Sequence, residues 1–455
     1  MRRNIQTTDR RRVLYTALRF VTALAIFLPL TASARQWTLE ECIRYAVQNN
    51  LTVKKRAIEV EQRDIQLNTS RNSRLPEVSL RVGEQFSFGN HSASINWMDD
   101  GISEMVGALS HTTGSLDASV NIFNGFRINN SIKADQYSLE AATADLEQAR
   151  KDIGIQVSTQ YLQCLYYRGM AEVARSQVEV SRNLLDRATY LVEEGKRPLS
   201  EQKEFESVLA SDRYSLAEAE GNFRLAILAL KQFLNLPSDE EFDVCEIKET
   251  HAATGTADAI YEDALRSWPA IRSAEAMVEE GSYRVKVARS SYYPSLALKG
   301  GVSTFYIDPF HQDMGFGSFG DQFFKENLNE VIGLQLSVPI FNRLATRNNV
   351  RKAEAALRSR KVELAEYNQN LQKEIHTAYT NAEVAREKES AALKAAEAAS
   401  VSLTYEQERY EAGRGNSSDI QRARQKYINA TQKAVQAKYE YMIRQRILEF
   451  YQGGQ

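Results

Sequence analysis

The chain has 455 residues, 57 of them Lys or Arg against 59 Asp or Glu, for a net charge of −2. A balance this even gives no basis for binding nucleic acid or for electrostatic attraction to an anionic surface. Three Cys and no CxxC exclude a disulfide framework, so stability must come from packing.

The N-terminus reads as a secretory leader. Arg2, Arg3, Arg10, Arg11 and Arg12 are followed by an apolar run from Val13 to Leu30 and by Ala32-Ser33-Ala34, a small-x-small cleavage site. The mature chain is then expected to begin near Arg35. Beyond the leader no apolar run approaches the roughly 20 residues of a spanning helix. Glu40 and Glu41 precede Cys42, which makes a poor site for lipid attachment.

Thr38 followed by Glu41 is a capping box and opens the first helix. A second helical pattern runs from about Leu51 to Ser73 and stops before Pro76. There the period changes. Val78, Leu80 and Val82 alternate with Ser79, Arg81 and Gly83, and Leu116, Ala118, Val120 and Ile122 alternate with Asp117, Ser119 and Asn121. Long polar loops are expected at about 89–112 and 306–329. From about Arg127 to Glu194 no Pro occurs, and Leu139, Ala142, Leu146, Ala149 and Ile153 keep a heptad rhythm. Such a helix is about 100 Å long at 1.5 Å per residue. Gly195-Lys196-Arg197-Pro198 breaks it, and a returning helix reaches about Leu234. Cys164, in YLQCLYY, reads as a small buried hydrophobe.

The same plan is then written again at an offset of 218 residues. Ala46 meets Ala264, Arg71 meets Arg289, Pro76 meets Pro294 and Gly195 meets Gly413. SVNIFNG, from Ser119, meets SVPIFNR, from Ser337. The second copy carries strands at Leu296/Leu298 and at Leu334, Leu336, Val338 and Ile340, a second long heptad helix, and the break Gly413-Arg414-Gly415-Asn416. Pro339 belongs near a strand end or bulge because it cannot donate to a ladder. The expected division is a leader (1–34), a first repeat (35–236), a linker (237–253) and a second repeat (254–455). Four strands with an apolar stripe have two open edges, and a bilayer does not tolerate open edges. Self-association would close them. The other reading is a small sheet buried in an exported periplasmic coiled-coil scaffold that forms no pore.

Taken together, WTLEECIRYAVQNN, the two Pro-strand junctions, SVNIFNG, SVPIFNR and YEAGRGNSSDIQRA resemble the TolC-like outer-membrane efflux family over essentially the whole mature chain. The resemblance implies a mainly α fold with a small β part. It also implies a homotrimer whose twelve-stranded β-barrel, set in outer-membrane lipid, continues as a periplasmic α-helical barrel. The implied role is a passive exit duct for efflux or type I secretion. Its partners would be a periplasmic adaptor (membrane fusion) protein and an inner-membrane pump of the RND, ABC or MFS type.

The family pattern places an entrance constriction just after the second helical turn. Asp419 holds the first acidic position and Arg422 stands at the second, where the family has another acid. Inter-helix Asp/Arg pairing would narrow the entrance, and capping of the returning helix by Ser417, Ser418 and Asp419 explains the same residues. The turns Gly195–Pro198 and Gly413–Asn416 are the implied adaptor contacts. Phe123-Asn124 and Phe341-Asn342 mark the strand-to-helix elbows. GFGSFG (Gly315–Gly320) matches GxGxxG without a βαβ context. The five His (91, 111, 251, 311, 376) lack metal-ligand spacing, and no catalytic motif occurs, so neither cofactor nor enzymatic activity is expected.

Overall fold

The heptad segments form helices of a length that few globular domains contain. In the computed structural model, which describes residues 35–94, 103–237, 240–247, 255–309 and 317–453, both long helices hold 67 residues. The expected leader lies outside the described residues. In chain order the elements are β1 (Arg35–Trp37), α1 (Leu39–Asn49), α2 (Leu51–Asn72), β2 (Glu77–Ser94), β3 (Ser103–Asn124), α3 (Arg127–Glu193) and α4 (Leu199–Leu234). After these come β4 (Phe242–Val244), α5 (Ala257–Ser267), α6 (Pro269–Ser290), β5 (Ser295–Pro309), β6 (Asn329–Ser337), α7 (Ala345–Glu411) and α8 (Ser417–Tyr451). A short helical turn at 319–326 stands between β5 and β6.

The described residues fall into two compact units, within the bounds that follow. The first contains the chain up to Ala46, Val157–Thr250 and Glu389–Tyr439. Its N-terminal strand β1 pairs in parallel with β4. Thr38 and Glu41 form the expected capping box, Thr38 N–H donating to Glu41 Oε2 (2.9 Å) and Glu41 N–H to Thr38 Oγ1 (3.2 Å). The Tyr161 hydroxyl on α3 lies 2.8 Å from Trp37 O and 2.7 Å from Cys245 O, and Arg168 Nη1 donates to Val244 O (2.7 Å). Cys42 and Cys164 are fully buried in this core, and burial pushes the Cys42 thiol to about 12. Both are inert packing groups.

The second unit contains Val47–Gln156, His251–Lys388 and Glu440 onward. Its sheet is an antiparallel meander in the order β2-β3-β5-β6. Val78, Leu80 and Val82 share one face with Leu116, Leu298, Ile332, Leu334 and Leu336, as the register requires. Ser79, Arg81, Ser115, Asp117, Ser119, Lys299, Ser303 and Gln335 share the other. Leu80 is 72% exposed and Ile332 82%, so the apolar face is bare. Core packing is confined to the helices, as where Trp268, Ile271, Leu371, Ile375 and Leu448 cluster.

Two expectations about the sheet need correction. Of the two segments taken as polar loops, 89–112 is largely strand among its described residues, since β2 reaches Ser94 and β3 begins at Ser103, whereas 306–329 keeps strand only to Pro309 and then carries the helical turn at 319–326. Ser110, Thr112 and Thr113 continue the β2–β3 pairing with side chains that suit a pleated surface without marking an apolar alternation. At the other end, β6 stops at Ser337, leaving Val338, Pro339 and Ile340 outside it. The missing N–H of Pro339 ends the ladder before the apolar pattern ends.

Candidate functional site

Both helix reversals in the first unit are built alike, residue for residue at the 218 offset. Gly195 has φ +70° and Gly413 φ +71°, left-handed values that glycine adopts without steric cost. Lys196 N–H donates to Leu191 O and Gly195 N–H to Val192 O, both at 2.9 Å. Arg414 and Gly413 repeat the pair on Arg409 O and Tyr410 O at 2.9 Å. Each is a Schellman close that satisfies the last carbonyls of a long helix.

The two reversals also touch. Arg197 Nη2 donates to Gly415 O (3.1 Å), and the Arg197 guanidinium lies 5.0 Å from the centre of the Tyr410 ring. Tyr410, 1% exposed, packs edge-on to Phe205 beside Leu184, Ala188 and Ile420. Glu201, buried, stands 3.9 Å from Arg197. Burial, and after it the neighbouring Glu201 carboxylate, holds the Tyr410 phenol above its ordinary range. Neither Glu201 Oε1 nor the Tyr410 hydroxyl has a partner at hydrogen-bond geometry. A Cβ on Gly415 would come within 3.1 Å of Tyr410 N, so a side chain there would require the Tyr410 backbone to give by a few tenths of an ångström.

Asp419 lies in the first turn of α8. Asn416 supplies the cap in place of Ser417 or Ser418, its Oδ1 accepting from Asp419 N–H at 2.8 Å. Ser417 Oγ instead donates to Glu204 Oε2 (3.1 Å). Arg422 pairs with Asp419 on the same helix, one turn on, with the Arg side chain 72% exposed. Within one chain the pair is therefore intrahelical rather than a bridge between helices.

At the elbows, Asn124 ends β3 and Gly125 and Phe126 follow at φ +64° each. Asn342 is followed by Arg343 at φ +54° and Leu344 at φ +63°. Two consecutive left-handed residues turn each strand into its long helix. Asn342 Nδ2 donates to Thr346 Oγ1 (2.6 Å), and Asn124 Oδ1 accepts from Ile128 N–H (3.4 Å).

The sequence profile of the outer membrane efflux protein family matches residues 42–236 and again 260–454. The chain belongs to that family. It is a family of outer-membrane efflux channels, not of enzymes, and its members reach into the periplasm with long helices. Nodulation protein T of Rhizobium leguminosarum bv. viciae is 21% identical over 59% of this efflux-family chain, a match spanning 54% of that relative. Outer membrane efflux protein BepC of Brucella suis is 20% identical over 73% of the chain and 70% of its own length. Among solved structures, CusC superposes with a TM-score of 0.77 at 16% identity, covering 92% of each chain. VceC of Vibrio cholerae gives 0.74 at 16% over 91% of this chain and 96% of its own, and CmeC of Campylobacter jejuni gives 0.73 at 21% over 91% and 86%.

One feature of this efflux-family protein escaped the sequence reading. Asp212 on α4 and Arg424 on α8 form an ion pair, and Ser181 on α3 bonds to both, its Oγ accepting from Arg424 Nη2 at 2.8 Å and donating to Asp212 Oδ2. All three are less than a tenth exposed. Charged residues on a heptad helix read as a solvated face, and nothing in their spacing marks them as buried.

Proposed function

We propose that this protein is the exit duct of a tripartite efflux or type I secretion assembly, receiving cargo from a periplasmic adaptor and an inner-membrane pump. The supporting observation is the four-stranded sheet with one bare apolar face, one polar face and two unpaired edges, β2 and β6. A bilayer admits such a sheet only when other copies close it, and three copies make a twelve-stranded barrel with the polar face inward. Aromatic side chains stand at both ends of the apolar face. Tyr292, Tyr293 and Phe341 lie exposed near its helical end, and Phe86, Phe88 and Phe324 toward the other. Girdles of this kind mark the two interfaces of a spanning barrel.

In this reading the reversals Gly195–Pro198 and Gly413–Asn416 are the contacts for the adaptor. Three Asp419 carboxylates ring the entrance, with Arg422 reducing the net charge that the ring presents. The repeats act as 35–236 and 254–455, joined by 237–253. Membrane fractionation with unboiled gels tests the assembly, and conductance across a planar bilayer tests the pore. The expected result is a heat-sensitive trimer in the outer-membrane fraction that carries ion current. Protein confined to the soluble periplasm as monomer would replace the duct with a scaffold.

A further inference from the structure

The connection between β5 and β6 does more than join two strands. β3 pairs with β5 as far as Pro309, whereas β6 pairs with it only from Ser295 to Ser303. Above Ser303 the outer edge of β5 would therefore be free. The helical turn at 319–326 occupies that edge. Gln322, 4% exposed, accepts from Ile307 N–H through Oε1 (3.1 Å) and donates to Ile307 O through Nε2 (3.2 Å). One side-chain amide thus stands in for a missing strand residue. Asn327 Nδ2 supplies Phe305 O in the same way (2.9 Å).

The turn also folds over the apolar face of the sheet. A Cβ built on Gly114 would meet Phe323 Cζ at 2.7 Å, so the ring lies directly against the glycine. Phe319 stacks on Phe323 (4.9 Å between centroids) and meets Tyr306 edge-on (5.0 Å). Gly114 pairs with Val82 on one side and Thr304 on the other. Val82 is the last of the alternating aliphatics on β2, and Glu84 follows on the same face. Phe86 and Phe88 continue that face beyond Glu84, so the turn sits where the aliphatic band gives way to a zone of mixed polar and aromatic side chains. From Leu296 to Thr304 the band spans nine strand positions of β5, close to the roughly 9–11 a tilted strand needs to cross hydrocarbon. Phe324 is 65% exposed and Phe319 44%, with the Lys325–Asp321 ion pair (2.7 Å) beside them.

We infer that this turn is a lipid anchor at the outer interface of the bilayer, with Phe319 and Phe324 set into the boundary between acyl chains and headgroups. The inference rests on the membrane-barrel reading above and adds a specific contact to it. A free strand edge at that depth would leave backbone groups unpartnered in a medium that offers none. The Gln322 and Asn327 amides close the edge, and the exposed rings extend the lipid-facing surface to the level where aromatic side chains are most favourable. The Lys325–Asp321 pair places charge on the headgroup side.

The experiment is photo-cross-linking from benzoylphenylalanine introduced singly at Phe324, Phe319, Leu334 or Gln335 in the full chain. Each variant is reconstituted in phosphatidylethanolamine and phosphatidylglycerol vesicles. Phe324 is exposed, so the larger ring leaves folding intact. Lipid adducts at Phe324 and Phe319 several-fold above Gln335 on the polar face are the expected result. A yield at Phe324 equal to that at Gln335 overturns the inference, and so does cross-linking of Phe324 to a second copy of the chain. Leu334 separates the two levels of the reading. If Leu334 acquires lipid and Phe324 does not, the anchor alone fails; if neither does, the barrel fails with it.

Discussion

The two elbows make the same turn in different surroundings. Gly125 is buried, and a Cβ there would stand 2.6 Å from Ser290 O and 2.9 Å from Tyr293 Cβ, where α6 gives way to β5 in the second repeat. Its counterpart 218 residues on is Arg343, exposed, in the same left-handed conformation. The helices repeat the contrast. Ile58 on α2 is 54% exposed where the equivalent Ala276 on α6 is 5%, and Val362 on α7 is 59% exposed where Ala144 on α3 is 1%. The junction from the first repeat to the second is made inside the chain. The junction from the second back to a first is left bare, with larger apolar side chains waiting on it. One interface between repeats is made inside the chain, and its equivalent stays exposed, which is where the proposed assembly would seat another copy.

Imposing the internal register on the bare junction gives the test with the largest expected effect. Ala118 faces Gly300 within the chain, so at the 218 offset Leu336 of one copy should face Val82 of the next. Directly opposed residues on antiparallel strands lie 4.5–5.5 Å apart between Cα atoms, within reach of a disulfide. Val82→Cys with Leu336→Cys is therefore expected to give a covalent trimer on oxidation, read on a denaturing gel without reductant. Each single variant should stay monomeric there. Cross-linking only when one cysteine is moved two positions along would mean that the bare junction is not a copy of the covered one.

Next in size is a contact between the two repeats that has no counterpart at the offset. The counterparts of Ser181, Asp212 and Arg424 are Ala399, Ala430 and Glu206, so the buried triad has no equivalent at the offset. Asp212→Ala leaves the Arg424 guanidinium buried without its counter-charge, at an expected cost of about 3–5 kcal/mol. The midpoint of thermal unfolding followed by circular dichroism checks it. Removing both charges, as Asp212→Leu with Arg424→Met, should restore most of the loss. At the covered elbow, Gly125→Val adds left-handed strain to a clash with Ser290 O, together about 3 kcal/mol. The same thermal scan should show that loss, while Arg343→Ala, with no wall to meet and the left-handed strain of a residue with a Cβ already present, should change little.

These asymmetries also explain what the sequence disclosed and what it did not. The long helices were legible because 67 residues without Pro keep one heptad phase, and the reversals because Gly195 and Gly413 interrupt it. The strand faces were legible where aliphatics alternate, at Val78–Val82 and Leu334–Leu336, and illegible where Ser and Thr extend the pairing. Pro339 signalled a strand end, but its Ile340 neighbour still reads as part of the stripe. Gln322 was invisible, since a side-chain amide that replaces a strand leaves no periodic trace. Arg424 and Asp212 were hidden for the same reason, because their burial depends on three helices meeting and on no local pattern.

The smallest effect isolates the backbone itself. Arg343 holds φ +54° with its side chain in solvent, so little but conformation distinguishes it from glycine there. A left-handed conformation costs a residue with a Cβ roughly 1–2 kcal/mol, and the looser unfolded chain of glycine takes back about half of that. Arg343→Gly should therefore stabilise the protein by about 0.5 kcal/mol, a rise in Tm of about half a degree for a chain of this size. The covered elbow already has glycine at the equivalent place, where the wall formed by Ser290 and Tyr293 demands it. If Arg343→Gly lowers Tm, the Arg343 side chain is making a contact across the bare junction that exceeds its backbone strain. The two elbows would then differ in what covers them and not only in whether they are covered.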